Sequence, residues 1–210
     1  TLKTDNTWSK PEKLNRNINT EGNEESVFIH PDGKTLYFAS DGHLGMGSLD
    51  IYMSRKDSTG EWGPAINLGF PINTHKNENS LLISANGETA FFASDREEGY
   101  GDLDLYSFTL PTQFKAQAVT YFAGKIFNKK SEAPLAAKFE LIDLKTGELV
   151  VESFSDTTDG KFLVSLPMGK KYALNANKEG FVFYSESFNL KEGSLANPYR
   201  RDVPLSPIEV

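Results

Sequence analysis

The side chains that could do chemistry in this sequence are three histidines and a set of recurring acids. The histidines are His30, His43 and His75, and the 210 residues contain no cysteine. The lack of cysteine excludes disulfides, thiol catalysis and thiolate metal sites. No two histidines have the i, i+4 spacing that places two metal ligands on one face of a helix. We therefore interpret all three as surface histidines.

Hydroxyl and carboxylate side chains recur at matching positions, and calcium binding would be their chemistry. The recurring residues are Ser40, Asp41, Asp50, Ser94, Asp95 and Asp104. Because Ca²⁺ prefers oxygen ligands, the four aspartates are candidate calcium ligands. The alternative is that they accept hydrogen bonds from backbone N–H groups at strand ends. We favour this structural role, since repetition in every unit is typical of it.

A glycine-rich segment, residues 42–47, has the composition of a loop that holds a phosphate. A dinucleotide-binding loop follows a strand and opens a helix. This segment leads instead into a predicted strand at residues 50–54, so we interpret it as a wide loop between strands. The sequence has enough acidic residues to form a catalytic pair of carboxylates, so such a pair is not excluded. An active site normally breaks repeat symmetry, however, and no unusual residue interrupts either repeat. We predict no catalytic residue, no cofactor-binding residue and no cofactor.

These side chains belong to an internal repeat with a period of 54 residues. The recurring pairs include Trp8 and Trp62, Tyr52 and Tyr106, and residues 38–41 and 92–95. A constant period without gaps indicates a duplicated structural unit. We predict that the two tryptophans pack as equivalent residues between neighbouring repeats, with Trp→Ala costing about 3–5 kcal/mol at either position.

Each repeat is predicted to form four short strands. In the first repeat they are residues 26–29, 35–39, 50–54 and 65–68, and a tight turn at residues 30–33 joins the first two. The second strand is apolar on both faces, so we expect other residues to cover it on both sides. Four antiparallel strands packed on both faces describe a propeller blade.

The phrases that spell these strands resemble a known repeat. The phrase P-D-G-K-T-L-Y-F-A-S-D, the later D-I-Y, and the segments W-G-P and L-G-F-P-I-N-T resemble the PD40 (WD40-like) repeat of TolB-like β-propellers. The spelling is similar to that of propellers in OmpA-family envelope proteins of Bacteroidetes-type bacteria. The match covers residues 8–110 and departs in the second copy, where Ala85 and Asn86 replace Pro31 and Asp32.

A second domain begins where the repeat ends. We predict propeller blades over residues 1–111, a linker over residues 112–118 and a β-sandwich over residues 119–210. Seven strand-like runs separated by turn residues are typical of a sandwich. The runs are residues 121–127, 138–143, 149–155, 161–166, 172–176, 182–188 and 202–205. The predicted fold class is all-β: a partial β-propeller of two four-stranded blade repeats plus a seven-stranded β-sandwich.

The predicted sandwich also has a family resemblance. The segments G-K-I-F-N, A-P-L-A-A-K-F-E-L-I-D-L-K-T-G-E, D-G-K-F-L-V-S-L-P-M-G-K-K-Y and K-E-G-F-V-F-Y-S resemble a carboxypeptidase-regulatory-like (transthyretin-like) domain. That resemblance implies no peptidase activity. In OmpA-family envelope proteins the same sandwich follows the propeller and precedes a peptidoglycan-binding domain. Contact with peptidoglycan is therefore expected only through a domain absent from this chain.

Charge and hydropathy argue against two classes of partner. The formal net charge is −7 and the pI is about 5.1. Without a basic stripe we predict no binding to nucleic acid. The apolar runs are only a few residues long, so we predict no direct membrane span.

The resemblances together imply a function. They imply a non-catalytic scaffold in the periplasm, associated with the outer membrane, that binds protein partners of the cell envelope and links an outer-membrane complex to peptidoglycan. A type IX secretion component is one implied identity for the parent protein. The alternative is a glycan-binding or carbohydrate-active propeller with an accessory sandwich, in which exposed Trp8 and Trp62 would stack on sugar rings.

The repeat boundaries also predict that the propeller is incomplete. Residues 8–14 align with the fourth strand of a blade whose first three strands would precede Thr1, and the second repeat lacks a fourth strand after Pro111. Propellers need roughly 4–8 blades to close a ring. We therefore expect the chain to be an excerpt of a longer one, to associate with other copies, or to be held by a partner.

Overall fold

The computed structural model describes residues 8–84, 86–190 and 199–209, and its regular structure is almost wholly β. In these residues the strands are joined by turns and one 3-10 turn, Thr112–Phe114, without an α-helix. The predicted all-β class is confirmed. The described residues include no helix long and apolar enough to cross a membrane.

The chain divides into two compact units. Unit 1 comprises Thr1–Ile83 and Thr89–Lys115, and unit 2 comprises Ser84–Glu88 and Ala116–Val210.

Unit 1 contains two antiparallel sheets, one from each repeat. The first has the strand order β1-β2-β3-β4 and the second has the order β5-β6-β7. Their strands are β1 Glu24–Ile29, β2 Thr35–Ser40, β3 Asp50–Arg55, β4 Ile66–Asn67, β5 Glu78–Ile83, β6 Thr89–Ser94 and β7 Asp104–Thr109. The duplication extends to irregularities, because the first strand of each sheet has a bulge at the matching position. Ser26 and Ser80 occupy these bulges with positive φ.

The turn between β1 and β2 shows how local sequence produces these hairpins. Asp32 Oδ1 accepts hydrogen bonds from the backbone N–H groups of Lys34 and Thr35, both at 2.9 Å. Gly33 takes φ 70°, a left-handed conformation that glycine adopts without a steric penalty. In the second repeat Asn86 Oδ1 accepts from the N–H of Glu88 at 3.1 Å, while Ala85 lies outside the described residues. The turn therefore survives the departure from the Pro-Asp spelling.

Strand β2 is buried along its whole length, as its apolar pattern predicts. On one face, Tyr37 packs with Ile51 and Met53 of β3 in a cluster that includes the second sheet. On the other face, Leu36 and Phe38 belong to a separate cluster with Trp62. Strand β2 is thus covered on both sides, once by the second sheet and once by segments that flank its own sheet, whereas Val27 and Ile29 of β1 are exposed.

The two tryptophans do not occupy equivalent environments. Trp62 is 8% exposed and belongs to the cluster on the first sheet, whereas Trp8 is 75% exposed. The prediction of equal packing is therefore wrong for Trp8. The physical reason is that the described residues contain no sheet preceding Trp8 that could cover it. The expected strand over residues 8–14 is also missing, since that segment has no strand.

The predicted set of four strands is present only in the sheet of the first repeat. The second sheet ends at β7, and the described part of the chain contains no closed propeller.

Unit 2 is a sandwich of two sheets around one core. One sheet has the order β10-β9-β12-β13, and in the other β8 pairs with β11, β14 and β15. The strands are β8 Val119–Asn128, β9 Lys138–Asp143, β10 Leu149–Phe154, β11 Lys161–Pro167, β12 Lys170–Asn177, β13 Tyr184–Leu190, β14 Tyr199–Arg200 and β15 Val203–Leu205. Each predicted run overlaps a strand, and β14 is an additional one. The common core includes Phe122, Phe139, Leu174 and Val203.

Candidate functional site

In the first sheet the recurring polar residues converge on Glu24. Its carboxylate accepts hydrogen bonds from the hydroxyl and the backbone N–H of Thr20 at 2.5 and 3.1 Å, and from the Ser40 hydroxyl at 3.0 Å. Burial acts to raise the pKa of Glu24, but the hydrogen bonds from Thr20 and Ser40 outweigh burial and hold that pKa below its ordinary value. The carboxylate therefore fixes the loop before β1 to the end of β2.

The second sheet repeats this arrangement around Glu78. The carboxylate accepts from the hydroxyl of Thr74 at 2.7 Å and from that of Ser94 at 2.9 Å. Arg96 adds an ion pair at 3.3 Å that the first repeat does not have. Glu78 and Ser94 are fully buried, so these hydrogen bonds compensate for the desolvation of their polar groups.

Asp41 and Asp95 each bind an asparagine at the start of their sheet. Asp41 accepts from the backbone N–H and the side-chain amide of Asn23 at 2.7 and 2.8 Å, and Asp95 accepts from the same groups of Asn77 at 2.8 and 2.9 Å. The backbone hydrogen bond from the asparagine is the main cause that lowers the pKa of each aspartate. Both oxygens of each carboxylate are used, which is the geometry of a backbone cap.

Asp50 and Asp104 organise the glycine-rich loops. Asp50 Oδ2 accepts from the N–H groups of Met46 and Gly47, and Asp104 makes the two equivalent bonds in the second repeat. A Cβ at Gly45 would lie 1.7 Å from Asp50 Oδ2, so a larger residue cannot occupy that position without moving the loop. The loop composition that suggested a phosphate site is thus required by the buried carboxylate.

The structure brings the four calcium candidates into no common ligand set. Among the described residues no three side chains of His, Cys, Asp or Glu gather where a metal ion could be held. Asp41, Asp50, Asp95 and Asp104 each accept backbone hydrogen bonds instead. The geometry fits the structural alternative drawn from the sequence.

One feature of the second repeat breaks the symmetry. The guanidinium of Arg96 lies 5.0 Å from the ring centre of Phe92 and 4.9 Å from that of Tyr106, a cation–π arrangement. It also donates to the carbonyl oxygen of Ile72 at 3.0 Å. A fixed cation therefore lies over the aromatic pair of the second sheet.

His43 occupies the corresponding place in the first repeat. Its ring lies 5.8 Å from that of Phe38 and 5.1 Å from that of Tyr52, and Nε2 is 2.9 Å from the carbonyl oxygen of Ile18. These three residues are the repeat equivalents of the three that Arg96 contacts. The two repeats thus fill one position with different side chains taken from neighbouring places in the sequence.

The histidine prediction is correct for one residue and wrong for another. His75 is exposed, as expected of a surface histidine, and His43 is partly buried. His30 is buried, because it begins the β1–β2 turn and its Nδ1 accepts from the N–H of Asp32 at 3.2 Å. Edge-on packing against Phe28 completes this environment. A turn position predicts exposure poorly when the turn is packed against the sheet core.

The two repeats differ most at the outer edge of their sheets, where the first sheet has a fourth strand and the second does not. In the first sheet β4 pairs with β3, and Asn73 accepts from the N–H of Ile51 at 2.8 Å and donates to its carbonyl oxygen at 2.9 Å. In the second sheet β7 is the outermost strand. Leu105, the equivalent of Ile51, is 84% exposed, whereas Ile51 is fully buried.

The exposed apolar residues of the second sheet lie on one face, which we call the outer face and define by Leu82, Phe91 and Leu105. Leu82 pairs with Phe91, Phe91 pairs with Ser107, and Leu105 lies two residues before Ser107 on β7. The equivalent face of the first sheet carries Tyr37 and other buried residues of the core. The outer face therefore has the composition of a core face without a layer over it.

A cavity with a mixed lining of charged and aromatic residues lies beside this edge. It has a volume of about 470 Å³, and its lining includes Phe70, His75, Arg96, Glu97 and Glu98. Phe70 and the nearby Tyr100 are exposed. A second cavity of about 180 Å³ is lined mainly by apolar residues, among them Ile72, Phe92, Tyr106 and Phe108.

Several of these residues were missed by reasoning from the sequence. Thr20 with Thr74 and Asn23 with Asn77 recur at the same 54-residue spacing, so the repeat itself was a signal that could have found them. The sequence gives only a weak indication of the role of Arg96, namely that its repeat equivalent is a glycine, Gly42. The exposure of Leu105 follows from the missing fourth strand, which the alignment of the repeats did predict.

Comparison with known proteins gives no family for this chain. No family model and no curated protein matches it. Among solved structures, the group B streptococcus pilus 2b backbone protein has a TM-score of 0.38 and 12% identity over 86% of this chain and 96% of that chain. Shaft pilin SpaA from Lactobacillus rhamnosus GG has a TM-score of 0.34 and 11% identity over 78% and 73%, and S.CueP has 0.34 and 16% over 60% and 78%. TM-scores of this size do not establish a shared fold.

These comparisons contradict the family resemblances drawn from the sequence. No family model matches, and the solved structures found include pilins rather than PD40 propellers. The assignment to PD40 or TolB-like propellers, to the carboxypeptidase-regulatory-like domains and to OmpA-family or type IX secretion proteins is therefore wrong. The residues that carried it have local roles as turns, caps and strand pairs, and such roles recur in unrelated antiparallel sheets.

Proposed function

We propose that the chain is a non-catalytic scaffold that binds protein partners through the second sheet of unit 1. The observation that carries the proposal is the exposure of Leu105 on an outermost strand, at a position whose equivalent Ile51 is fully buried. Open strand edges and contiguous apolar faces are typical of protein interaction surfaces. The outer face and β7 combine both features.

The disposition of the polar residues supports a non-catalytic role. The repeated acids accept backbone or hydroxyl hydrogen bonds, and those bonds hold loops to strand ends. A catalytic acid needs a proton-transfer partner in reach of a substrate. The carboxylates of Glu24, Asp41, Glu78 and Asp95 are instead engaged by their own repeat.

We interpret the two sheets of unit 1 as blade-like sheets in an open stack. The support is that one 54-residue step relates their strands, their bulges and their polar networks. Such a stack can continue only if a further sheet covers the outer face. Protein binding at this face would thus extend a packing mode already used inside the unit.

The proposed location is the cell envelope, specifically the periplasm with an outer-membrane association. A sequence without cysteine is compatible with an oxidising compartment. The link to peptidoglycan depended on the family resemblance alone and is not proposed. Fractionation of cells that express the natural protein tests the location, and recovery in the cytosolic fraction would contradict it.

Replacing Leu105 with Asp tests the proposed binding surface. The matched control is Leu163→Asp, which changes an exposed leucine on strand β11 of unit 2. Each protein is used to capture partners from envelope extract, followed by mass spectrometry. We expect Leu105→Asp to lose the proteins that wild type and Leu163→Asp retain. Equal capture by both variants would reject the outer face as the binding surface.

Glycan binding is a second candidate function, and the exposure of Trp8 favours it. An open cavity of about 320 Å³ is lined by Trp8, Lys10 and Glu12, so a sugar could stack on the indole ring and bond to the charged groups. A glycan array with wild type and Trp8→Ala tests this function. Binding that disappears in the variant would support it, and an array without signal would exclude it for the sugars present.

A further inference from the structure

We infer that a second copy of this chain is the partner of the outer face: its residues 8–14 would complete the second sheet as a fourth strand, and its first sheet would stack on the outer face. The inference rests on the proposed function, since it names the partner of the same surface. The junction between the first and second sheets of unit 1 is the template for this contact.

The template defines a backbone register. Leu68 donates its N–H to the carbonyl oxygen of Ile51 at 3.1 Å, and β4 pairs with the residues that follow on β3. Residues 62–74 of this junction align with residues 8–20 at the 54-residue spacing and share with them the Trp, the Leu and the final Ile-Asn-Thr, and β3 aligns with β7. In the same register Leu14 of one copy donates to Leu105 of the next, and Glu12 lies opposite Ser107.

The cavity of about 180 Å³ supplies a place for Trp8. In the first repeat Trp62 packs in a cluster with Ile18, Phe38 and Tyr52. The repeat equivalents of those three residues are Ile72, Phe92 and Tyr106, and all three line the cavity. Trp8, the equivalent of Trp62, is exposed and available to fill that space in another copy.

Two sheet faces meet in the junction, one from the first sheet and one from the second. The repeat equivalent of each face is exposed elsewhere in unit 1. Val27 on the first sheet is 69% exposed, whereas its equivalent Leu81 is 2% exposed in the junction. Ile29 is likewise exposed, and its equivalent Ile83 is buried. The outer face has the opposite half of the same contact. Burial of both halves in one step would remove a contiguous apolar surface from water.

Charges at the proposed contact are complementary. In the template the side chain of Asn67 donates to the main-chain carbonyl oxygen of Leu44 at 3.4 Å, so the two positions are neighbours. The equivalent residues are Lys13 and Glu98, which bear opposite charges. The other charges are mixed, since Glu12 lies on the basic donor segment beside Lys10 and Arg16, and Arg96 lies on the acidic acceptor loop beside Glu97 and Asp102.

The contact joins two different surfaces, so it is heterologous. Each copy has one donor end and one acceptor end, and association continues until a ring closes or the chain of copies ends. Trp8→Ala removes the anchor without touching the core of the free molecule, because Trp8 is exposed there. We expect this variant to associate about tenfold to a hundredfold more weakly than wild type in sedimentation velocity.

A cysteine pair tests the register directly, since the chain has no cysteine of its own. One preparation carries Glu12→Cys and the other Ser107→Cys, and the mixture is treated with a short bismaleimide. The matched control replaces Ser107→Cys with Ser187→Cys, on the outermost strand β13 of the other unit. We expect a covalent dimer from the first mixture and none from the control.

Each outcome of the cysteine experiment has a separate meaning. A dimer from both mixtures, or from neither, overturns the inference. If no dimer forms but Leu105→Asp still loses a foreign partner from envelope extract, the proposed function stands and only the second copy is rejected. If Leu105→Asp loses nothing, the proposed function fails as well.

A charge exchange tests the contact without cysteines. Lys13→Glu places like charges together and should weaken association roughly twofold to tenfold at low salt. The double variant Lys13→Glu and Glu98→Lys restores opposite charges at every contact and should recover the wild-type association. Failure of the double variant to recover, while both variants melt like wild type, would overturn the pairing of these two residues.

Discussion

Trp8 and Trp62 occupy the same position of a 54-residue repeat, yet one is 75% exposed and the other 8%. The ring of Trp62 packs with Ile18 and Phe38 on the first sheet, and the ammonium group of Lys56 lies 5.1 Å from its centre. Trp8 lies at the matching repeat position, and the residues that the structure describes contain no sheet that covers it. Trp62 thus belongs to a junction whose two sides both lie in this chain, whereas the position of Trp8 is one at which the corresponding contact is not made.

Substitution of the two tryptophans should therefore have unequal effects on stability. Trp62→Ala should lower the free energy of unfolding by about 3–5 kcal/mol, because it leaves a cavity against the first sheet. Trp8→Ala should change it by less than about 0.5 kcal/mol in dilute protein. Urea unfolding at micromolar concentration measures both. Equal losses would contradict the assigned environments.

Removal of the Glu78 carboxylate should be strongly destabilising. Glu78→Ala leaves the hydroxyls of Thr74 and Ser94 and the charge of Arg96 without their acceptor, at a cost of about 3 kcal/mol. The control is Glu97→Ala on the exposed loop, for which we expect a change within about 0.5 kcal/mol. Thermal melting followed by circular dichroism compares them, and a small effect at Glu78 would show that the network contributes little.

Asn73 should matter more than its repeat equivalent Asn19. The side chain of Asn73 is buried and makes two hydrogen bonds to the backbone of Ile51, so Asn73→Ala should cost about 1–3 kcal/mol. Asn19 is partly exposed and donates to the carbonyl oxygen of Leu14, so Asn19→Ala should cost below about 1 kcal/mol. Chemical denaturation ranks the two, and the reverse order would contradict the junction geometry.

Acid should weaken the caps formed by Asp41 and Asp95. Their pKa values are lowered in the folded protein, mainly by backbone hydrogen bonds from Asn23 and Asn77. A carboxylate with a lowered folded pKa stabilises the fold fully above its unfolded pKa, near 4, and loses this contribution as the pH falls through the folded value. The double variant Asp41→Asn and Asp95→Asn should thus melt below wild type at pH 7.

The difference between wild type and the double variant should shrink below about pH 4, where the wild-type carboxylates become protonated. Melting temperatures from pH 7 to about pH 2.5 provide the comparison. Asp102→Asn, on an exposed loop, is the control substitution. A difference that stays constant over the whole pH range would show that the carboxylate charge is not what stabilises the loop.

The sequence predicted the strands better than their environments. Alternation and turn residues located β2, β3, β6 and the strands of unit 2, because these signals are local. The burial of His30 and the exposure of Trp8 depend on what packs over them, which a repeat alignment alone does not contain. The family assignment failed for a related reason, since turn and cap residues reflect hairpin geometry more than ancestry.

The candidate site was predictable in part. The missing fourth strand of the second repeat followed from the end of the repeat at Pro111, and it led to the exposed β7. The contact of Arg96 with two aromatic rings did not follow, because it needs the positions of Phe92 and Tyr106 in space. Features that depend on the alignment of the repeats could therefore be predicted from the sequence, whereas features that depend on tertiary packing could not.

Hydrogen–deuterium exchange of the β7 amides at low and high protein concentration tests the central claim most directly, because that claim is protein binding at this sheet edge. Alternate amides of β7 point away from β6, and by equivalence with Ile51 they include those of Leu105 and Ser107. If residues 8–14 of another copy pair with β7, these outward amides should become protected as concentration rises in wild type and stay unprotected in Trp8→Ala. Strand β13, also an outermost strand, should exchange alike at both concentrations. Exchange at β7 that is independent of concentration, with and without envelope extract, would contradict the account.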